Sequence, residues 1–193
     1  ITPVQAGTIT LTASSAGDAD YNPATTNQLI SIYPATPTLT ITSANATVVD
    51  GALQAILTTT ASQDIGTLSY AITNGDRGSA LVDGNGLLTA ISAGQVTLTI
   101  TSAGNTNYNS ASVSQNISIG QATPTLTITS ANEMVFDTTM TALVNTTASF
   151  GRGGNITFSV FGGSGSATVD PNSGLITPVQ AGTITLTASS AGD

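Results

Sequence analysis

The chain has 193 residues, of which ten are carboxylates and two are arginines; lysine, histidine, cysteine and tryptophan are absent, and the net charge is −8. Without His, Cys or Lys there is no Ser-His-Asp or Cys-His nucleophile, no zinc site of the usual kind, no redox dithiol and no Schiff base. An acidic chain with two cations does not hold a nucleic-acid backbone, and apolar runs of a few residues do not span a membrane.

Period-2 alternation starts near the beginning. Ile9, Leu11 and Ala13 alternate with Thr8, Thr10 and Thr12, which predicts a strand with one face in a core and one in water. Thr suits the wet face because its branched Cβ fits the pleat. A polar stretch, Asp18-Ala19-Asp20-Tyr21-Asn22, follows, and then a short joint, Tyr33-Pro34-Ala35-Thr36-Pro37, in which Pro fixes φ and stiffens the link. Beyond it, strands are expected at 37–42, 54–60, 68–72, 79–82, 87–91, 95–102 and 113–119. In 95–102, Val96, Leu98 and Ile100 alternate with Thr97, Thr99 and Thr101. Turn signals separate the strands: Asn74-Gly75, Asp83-Gly84-Asn85-Gly86, Ala93-Gly94 and Ala103-Gly104-Asn105. Seven short strands in such a span, with no helical period, predict a two-sheet Greek-key sandwich.

The same pattern then recurs. Residues 1–18 return unchanged at 176–193, and ATPTLTIT at 35–42 returns at 122–129. Aligning 1–42 with 88–129 gives 24 identities in 42 positions. Periods of 87 and 88 residues sum to 175, and each is long enough for a domain with its own core. The expected organisation has three parts. Residues 1–34 are the C-terminal strands of an incomplete Ig-like domain, 35–121 are a complete one, and 122–193 are one lacking its last strand. On this reading 122–193 superposes on 35–106, and 1–34 on 88–121. Length differences fall between 62 and 68 and between 72 and 87, at expected loop tips.

The segments GLLTAISAGQVTLTITSAGNTNYNSA (86–111) and GLITPVQAGTITLTASSAGD (174–193) resemble tandem bacterial Ig-like repeats. Such repeats occur in giant secreted surface proteins, including adhesins of gliding Bacteroidetes. The most specific part is a strand ending in Ser-Ala-Gly, followed by Asn/Asp-x-Asn/Asp-Tyr-Asn. The resemblance implies an all-β rod of tandem Ig-like Greek-key sandwiches, an extracellular cell-surface location, and a spacer or adhesive role with no catalytic residues.

Several motifs have competing readings. The 18–22 segment resembles the start of a calcium loop, but the sixth and twelfth positions of that pattern hold no Gly or Glu, and the equivalent Asn105-Thr106-Asn107-Tyr108-Asn109 has no carboxylate. A plain turn is expected, with Tyr21 and Tyr108 plugging the sandwich end. Val135-Phe136-Asp137-Thr138-Thr139 is a near miss to an acid-protease motif, and its counterpart is Val48-Val49-Asp50-Gly51-Ala52. Asp137-Thr138-Thr139 also resembles an O-glycosylation acceptor of Bacteroidetes, with Thr138 carrying the sugar. Sequons at Asn45, Asn116, Asn145 and Asn155 are expected by chance in so Thr-rich a chain, which has 36 threonines. Rows of Thr-x-Thr resemble ice-binding arrays, but a twisted sandwich offers only a few ranks. Arg77 and Arg152 are read as solvated loop charges.

The expected function is a structural segment of an extracellular fibre or giant cell-surface adhesin, acting as a stiff spacer. No catalytic, cofactor or metal residue is assigned. The expected partners are neighbouring repeats, with lateral or end-to-end self-assembly, and neither nucleic acid nor membrane insertion. The alternatives are a carbohydrate- or calcium-binding module, or an accessory region of a secreted enzyme. Absence of Trp, with only eight other aromatics, argues against a stacking platform for sugars.

Overall fold

The computed structural model describes residues 1–149 and 153–192. It is all-β, with no helix among the described residues, and so none long and apolar enough to cross a membrane. Contacts divide it into two units, Ile1–Gln121 and Ala122–Asp193.

The first unit begins with a hairpin of β1 (Gly7–Ser15) and β2 (Ala24–Ile32), paired over nine residues from Gly7↔Ile32 to Ser15↔Ala24. Nine strands follow: β3 (Leu39–Ile41), β4 (Ala46–Val48), β5 (Ala52–Gln54), β6 (Leu57–Thr59), β7 (Leu68–Asn74), β8 (Ser79–Val82), β9 (Leu87–Ser92), β10 (Gly94–Ser102) and β11 (Ala111–Gly120). One sheet has the order β4-β11-β10-β7, and facing it are β5-β9-β8 and β3-β6. This is the Ig-like arrangement of two sheets over one core.

The alternation seen in the sequence is the alternation of burial. Along β10, Val96, Leu98 and Ile100 are buried between the more exposed Thr97, Thr99 and Thr101. They meet Ile117 and Ile119 of β11 and Leu88 and Ala90 of β9 in a single core. On the other face, cross-strand hydroxyl and amide groups pair instead: Thr97 with Asn116 at 3.0 Å and Thr99 with Ser114 at 2.8 Å.

Two strand expectations are corrected. The stretch 54–60 is not one strand: β5 pairs with β9, whereas β6 pairs with β3. The break falls at Ala55 and Ile56, where Ala55 N–H reaches Gly86 O at 2.9 Å and Ile56 O accepts Thr42 N–H at 2.8 Å. Each half thus keeps its own neighbour. The second correction is an added strand, β4, which runs parallel to the end of β11.

The second unit contains β12 (Leu126–Ile128), β13 (Met140–Thr141), β14 (Val144–Thr146), β15 (Ile156–Gly162), β16 (Ser166–Val169), β17 (Leu175–Gln180) and β18 (Ile184–Ser190). Its sheets are β12-β14, β13-β17-β16 and β15-β18. Pairings repeat those of the first unit: Leu68↔Ser102 in β7–β10 becomes Ile156↔Ser190 in β15–β18, and Leu39↔Thr59 becomes Leu126↔Thr146. The hairpin β1–β2 likewise has the register of β10–β11, in which Gly94 faces Ile119.

Candidate functional site

The polar loop after β10 is held from beneath. Ser102 is fully buried, and its hydroxyl donates to Ile65 O and accepts Gly104 N–H at 3.2 Å. Gly104 has φ +73°, in the left-handed region that favours glycine. Asn105 then makes an Asx turn: its Oδ1 accepts Asn107 N–H at 2.9 Å and Tyr108 N–H at 3.0 Å, while its Nδ2 donates to Asp64 O at 2.6 Å. The earlier loop is built alike. Gly17 also has φ +73°, and Asp18 Oδ1 accepts Asp20 N–H at 3.0 Å and Tyr21 N–H at 2.9 Å. The Asp18 carboxylate therefore does what the Asn105 amide oxygen does. Among the described residues no group of three or more His, Cys, Asp or Glu gathers as a metal ion needs.

With the turn fixed, 107–109 lies alongside the joint. Ala35 N–H donates to Asn107 O at 2.9 Å and Asn109 N–H donates to Ala35 O at 2.8 Å, forming an isolated parallel bridge between Ala35 and Tyr108. Asn109 Nδ2 adds bonds to Thr36 Oγ1 at 2.9 Å and Pro34 O at 3.4 Å. Asn107 Oδ1 accepts Ala6 N–H at 2.8 Å, from the segment leading into β1. Tyr108 presents its hydroxyl to Ser62, accepting the Ser62 N–H at 3.1 Å, with the two hydroxyls 3.2 Å apart. The Ser62 hydroxyl, with added backbone bonds from Ser62 and Gln63, holds the Tyr108 phenol below its ordinary pKa. One loop thus grips both sides of the link and the strand hairpin before it. The arrangement is a hydrogen-bonded clasp on the link.

The other sequence candidates fall elsewhere. Tyr21 is 76% exposed, and half-buried Tyr108 turns its hydroxyl to Ser62. Asp50 and Asp137 occupy matching turns at φ +64° and +68°, a conformation Asp tolerates better than most residues. Gly51 N–H reaches Val48 O at 2.9 Å, and Thr138 N–H reaches Val135 O at 3.2 Å. Thr138 is exposed, and its hydroxyl donates to Val135 O at 2.6 Å. Asn116 and Asn145 lie within strands. Arg77 is in the loop between β7 and β8, where its carbonyl accepts the Ser92 hydroxyl at 2.8 Å; Arg152 lies outside the described residues.

The contact of Asn107 with Ala6 was not foreseen from sequence. A signal was present: Asn or Asp stands at three positions of both loops, while an Asx turn needs only the first.

No protein-family model and no curated protein matches the chain. Among solved structures it is similar to protocadherin gamma B2 extracellular cadherin domains 1–5, at 14% identity and a TM-score of 0.33, over 96% of this chain and 43% of that one. It is also similar to the protocadherin gammaB7 EC3-6 cis-dimer structure (14%, TM-score 0.32, 98% and 55%). A third is the protocadherin gammaB4 extracellular domain (16%, TM-score 0.33, 96% and 36%). The chain spans roughly a third to a half of the length of these proteins.

Proposed function

We propose that this chain is a segment of an extracellular, non-enzymatic fibre or surface adhesin, in which each Ig-like repeat acts as a stiff spacer. Residues 1–34 are then the closing strands of one repeat, 35–121 a whole repeat, and 122–193 the earlier strands of the next. The observation that carries the reading is the clasp at Ala35. A flexible linker leaves its backbone to water; here both polar groups of Ala35 are bonded to the 107–109 backbone, and Asn107 reaches past the link to Ala6. The composition agrees, since a lysine-free, cysteine-free, Thr-rich surface suits an exposed repeat stabilised by its own sandwiches.

Backbone 15N relaxation of the intact chain tests this. The β1–β2 hairpin should tumble with the β4-β11-β10-β7 sheet as one body. In the double variant Asn107→Ala, Asn109→Ala the hairpin should gain independent motion while the sheet keeps its dispersion. A hairpin that moves independently in the unaltered chain would contradict the spacer reading.

A further inference from the structure

We infer that the free edge of β7 is a docking site for β7 of a second copy of this chain, the two strands pairing antiparallel about Ala71. Among the described residues β7 pairs only with β10, in an unbroken register from Leu68↔Ser102 to Asn74↔Val96. Thr67 O accepts Ala103 N–H at 2.9 Å and Gly75 N–H donates to Gln95 O at 3.0 Å, so the odd-numbered residues turn their backbone groups to β10. The N–H and C=O of Leu68, Tyr70, Ile72 and Asn74 therefore point away from it, along the edge. Such an edge is a template for an added strand, and Lys, Pro, bulges and short length are the usual means of blunting it. On the facing sheet the edge strand β8 is blunted: it has four residues and a register shift between Ser79 and Ala80. Strand β7 has seven residues, with no charge and no Pro. The second unit supplies a control. There the matching strand is β15, and Phe158 N–H, the counterpart of Tyr70 N–H, donates to Pro171 O at 3.0 Å. The loop holding Pro171, 170–174, is one residue longer than its counterpart 83–86, and among the described residues Tyr70 N–H makes no such bond. The longer loop caps the edge of β15, and the shorter turn leaves that of β7 open.

The occupant follows from the chemistry of the strand. With Ala71 opposite itself, Tyr70 faces Ile72 of the second copy and Leu68 faces its Asn74, so all four outward-turned residues enter the new ladder. Apolar cover is gained. Leu68, Tyr70 and Ile72 lie on the core side but are only half-buried, whereas Val96, Leu98 and Ile100 of the adjacent β10 are 2%, 0% and 0% exposed. A strand on the far side of β7 covers them as β7 covers β10. No residue from 65 to 75 is charged, so two copies of an acidic chain meet here without like charges in the ladder. The flanks are complementary. Asp64 precedes the strand, and Asp76 and Arg77 follow it; antiparallel pairing brings Arg77 of each copy to the end at which the other carries Asp64. Because the same strand meets itself, the contact is isologous and closes as a dimer. This inference stands apart from the spacer reading: it concerns an edge inside one repeat, and it leaves the clasp at Ala35 and the β1–β2 hairpin as they are.

The chain has no cysteine, so a register-specific crosslink is a clean test. Ala71, Ser69 and Ser159 are all exposed. Residues opposed in a non-hydrogen-bonded antiparallel pair have Cα atoms about 4.5 Å apart, within disulfide reach. Mild oxidation of the Ala71→Cys chain should give a disulfide-linked dimer. Ser69→Cys places the two thiols four residues out of register, beyond bridging distance, and Ser159→Cys places them at the matching position of the capped β15; both should stay monomeric. Without oxidation, sedimentation equilibrium of the unaltered chain should show monomer and dimer in exchange. Ala71→Lys sets two ammonium groups face to face on the solvent side, and should abolish the dimer while the far-UV circular dichroism is unchanged. An unaltered chain that stays monomeric, assembly beyond the dimer, equal crosslinking of the three cysteine variants, or a dimer retained in Ala71→Lys would each overturn the inference.

Discussion

Strands β10 and β18 make a natural experiment. Their sequences, Val96-Thr97-Leu98-Thr99-Ile100-Thr101-Ser102 and Ile184-Thr185-Leu186-Thr187-Ala188-Ser189-Ser190, share the same alternation, and each pairs with its β7-type neighbour in the same register. Their burial differs. Val96, Leu98, Ile100 and Ser102 are sealed, while Ile184, Leu186, Ala188 and Ser190 are all half-buried. The difference is β11, which covers one edge of β10 and carries Ile117 and Ile119 into the core. It also supplies the ladder for β4: Ala46–Val48 is a strand beside β11, and the matching 133–135 is not a strand. Sequence pattern sets the face a residue occupies, and the neighbouring strand sets how deeply that face is buried.

The largest expected effect sets Leu98 against its counterpart Leu186. Leu98→Ala removes a fully buried side chain and should destabilise the first unit by about 2–5 kcal/mol. Leu186→Ala should cost the second unit roughly half as much or less, because part of that side chain already meets water. Urea denaturation followed by probes in each unit reads both. Equal losses would mean that β11 adds no burial of consequence.

A middle-sized effect concerns the serine that ends each such strand. In Ser102→Ala, Ile65 O and Gly104 N–H lose a buried partner, at a cost of about 1–3 kcal/mol. Ser15→Ala, at the exposed end of β1, removes only a 3.3 Å bond from Gly17 N–H and should change little. Thermal melts of the two variants sharpen the comparison, since the residues sit at matching positions with opposite burial.

The smallest effect is one of pH, confined to the second unit. The Asp170 carboxyl is held below its ordinary 3.8 by the Ser173 N–H, the Ser173 hydroxyl and the Asn172 N–H. A lowered folded value stabilises the unit above the ordinary carboxylate range, and that stability is lost as the pH falls through the folded value. The group is exposed, so the shift in melting temperature should be slight. Asp170→Asn should melt lower than the parent at neutral pH and converge with it in acid. Melting curves of the second unit at graded pH check this, and a gap that persists in acid would contradict it.

Much of this was legible in the residues. The Thr alternation in 95–102 marked β10 and its buried face, because period 2 is a direct consequence of the pleat. The tetrad Asp83-Gly84-Asn85-Gly86 and its five-residue counterpart from Asp170 to Gly174 marked a turn that tolerates an insertion, and both are loops leading into β9 and β17. Other features were hidden for physical reasons. Strand β4 is Ala46-Thr47-Val48, three residues whose state depends on a parallel partner some seventy positions away. The break at Ala55 leaves the apolar pattern intact while the hydrogen-bond partners change, and pattern does not report partners. The clasp is half visible in the sequence: Asn105 has the character of a turn former, but the reach of Asn107 to Ala6 and of Asn109 to Thr36 depends on where the link passes.

Native-state hydrogen exchange on the intact chain tests most directly the claim that β11 turns an open sheet into a closed one. The account predicts that amides in 96–100 exchange only through global unfolding of their unit, while those in 184–188 exchange through far smaller openings. A gap of about 3 kcal/mol in opening free energy corresponds to a protection difference of over a hundredfold. Equal protection of the two strands would contradict the account.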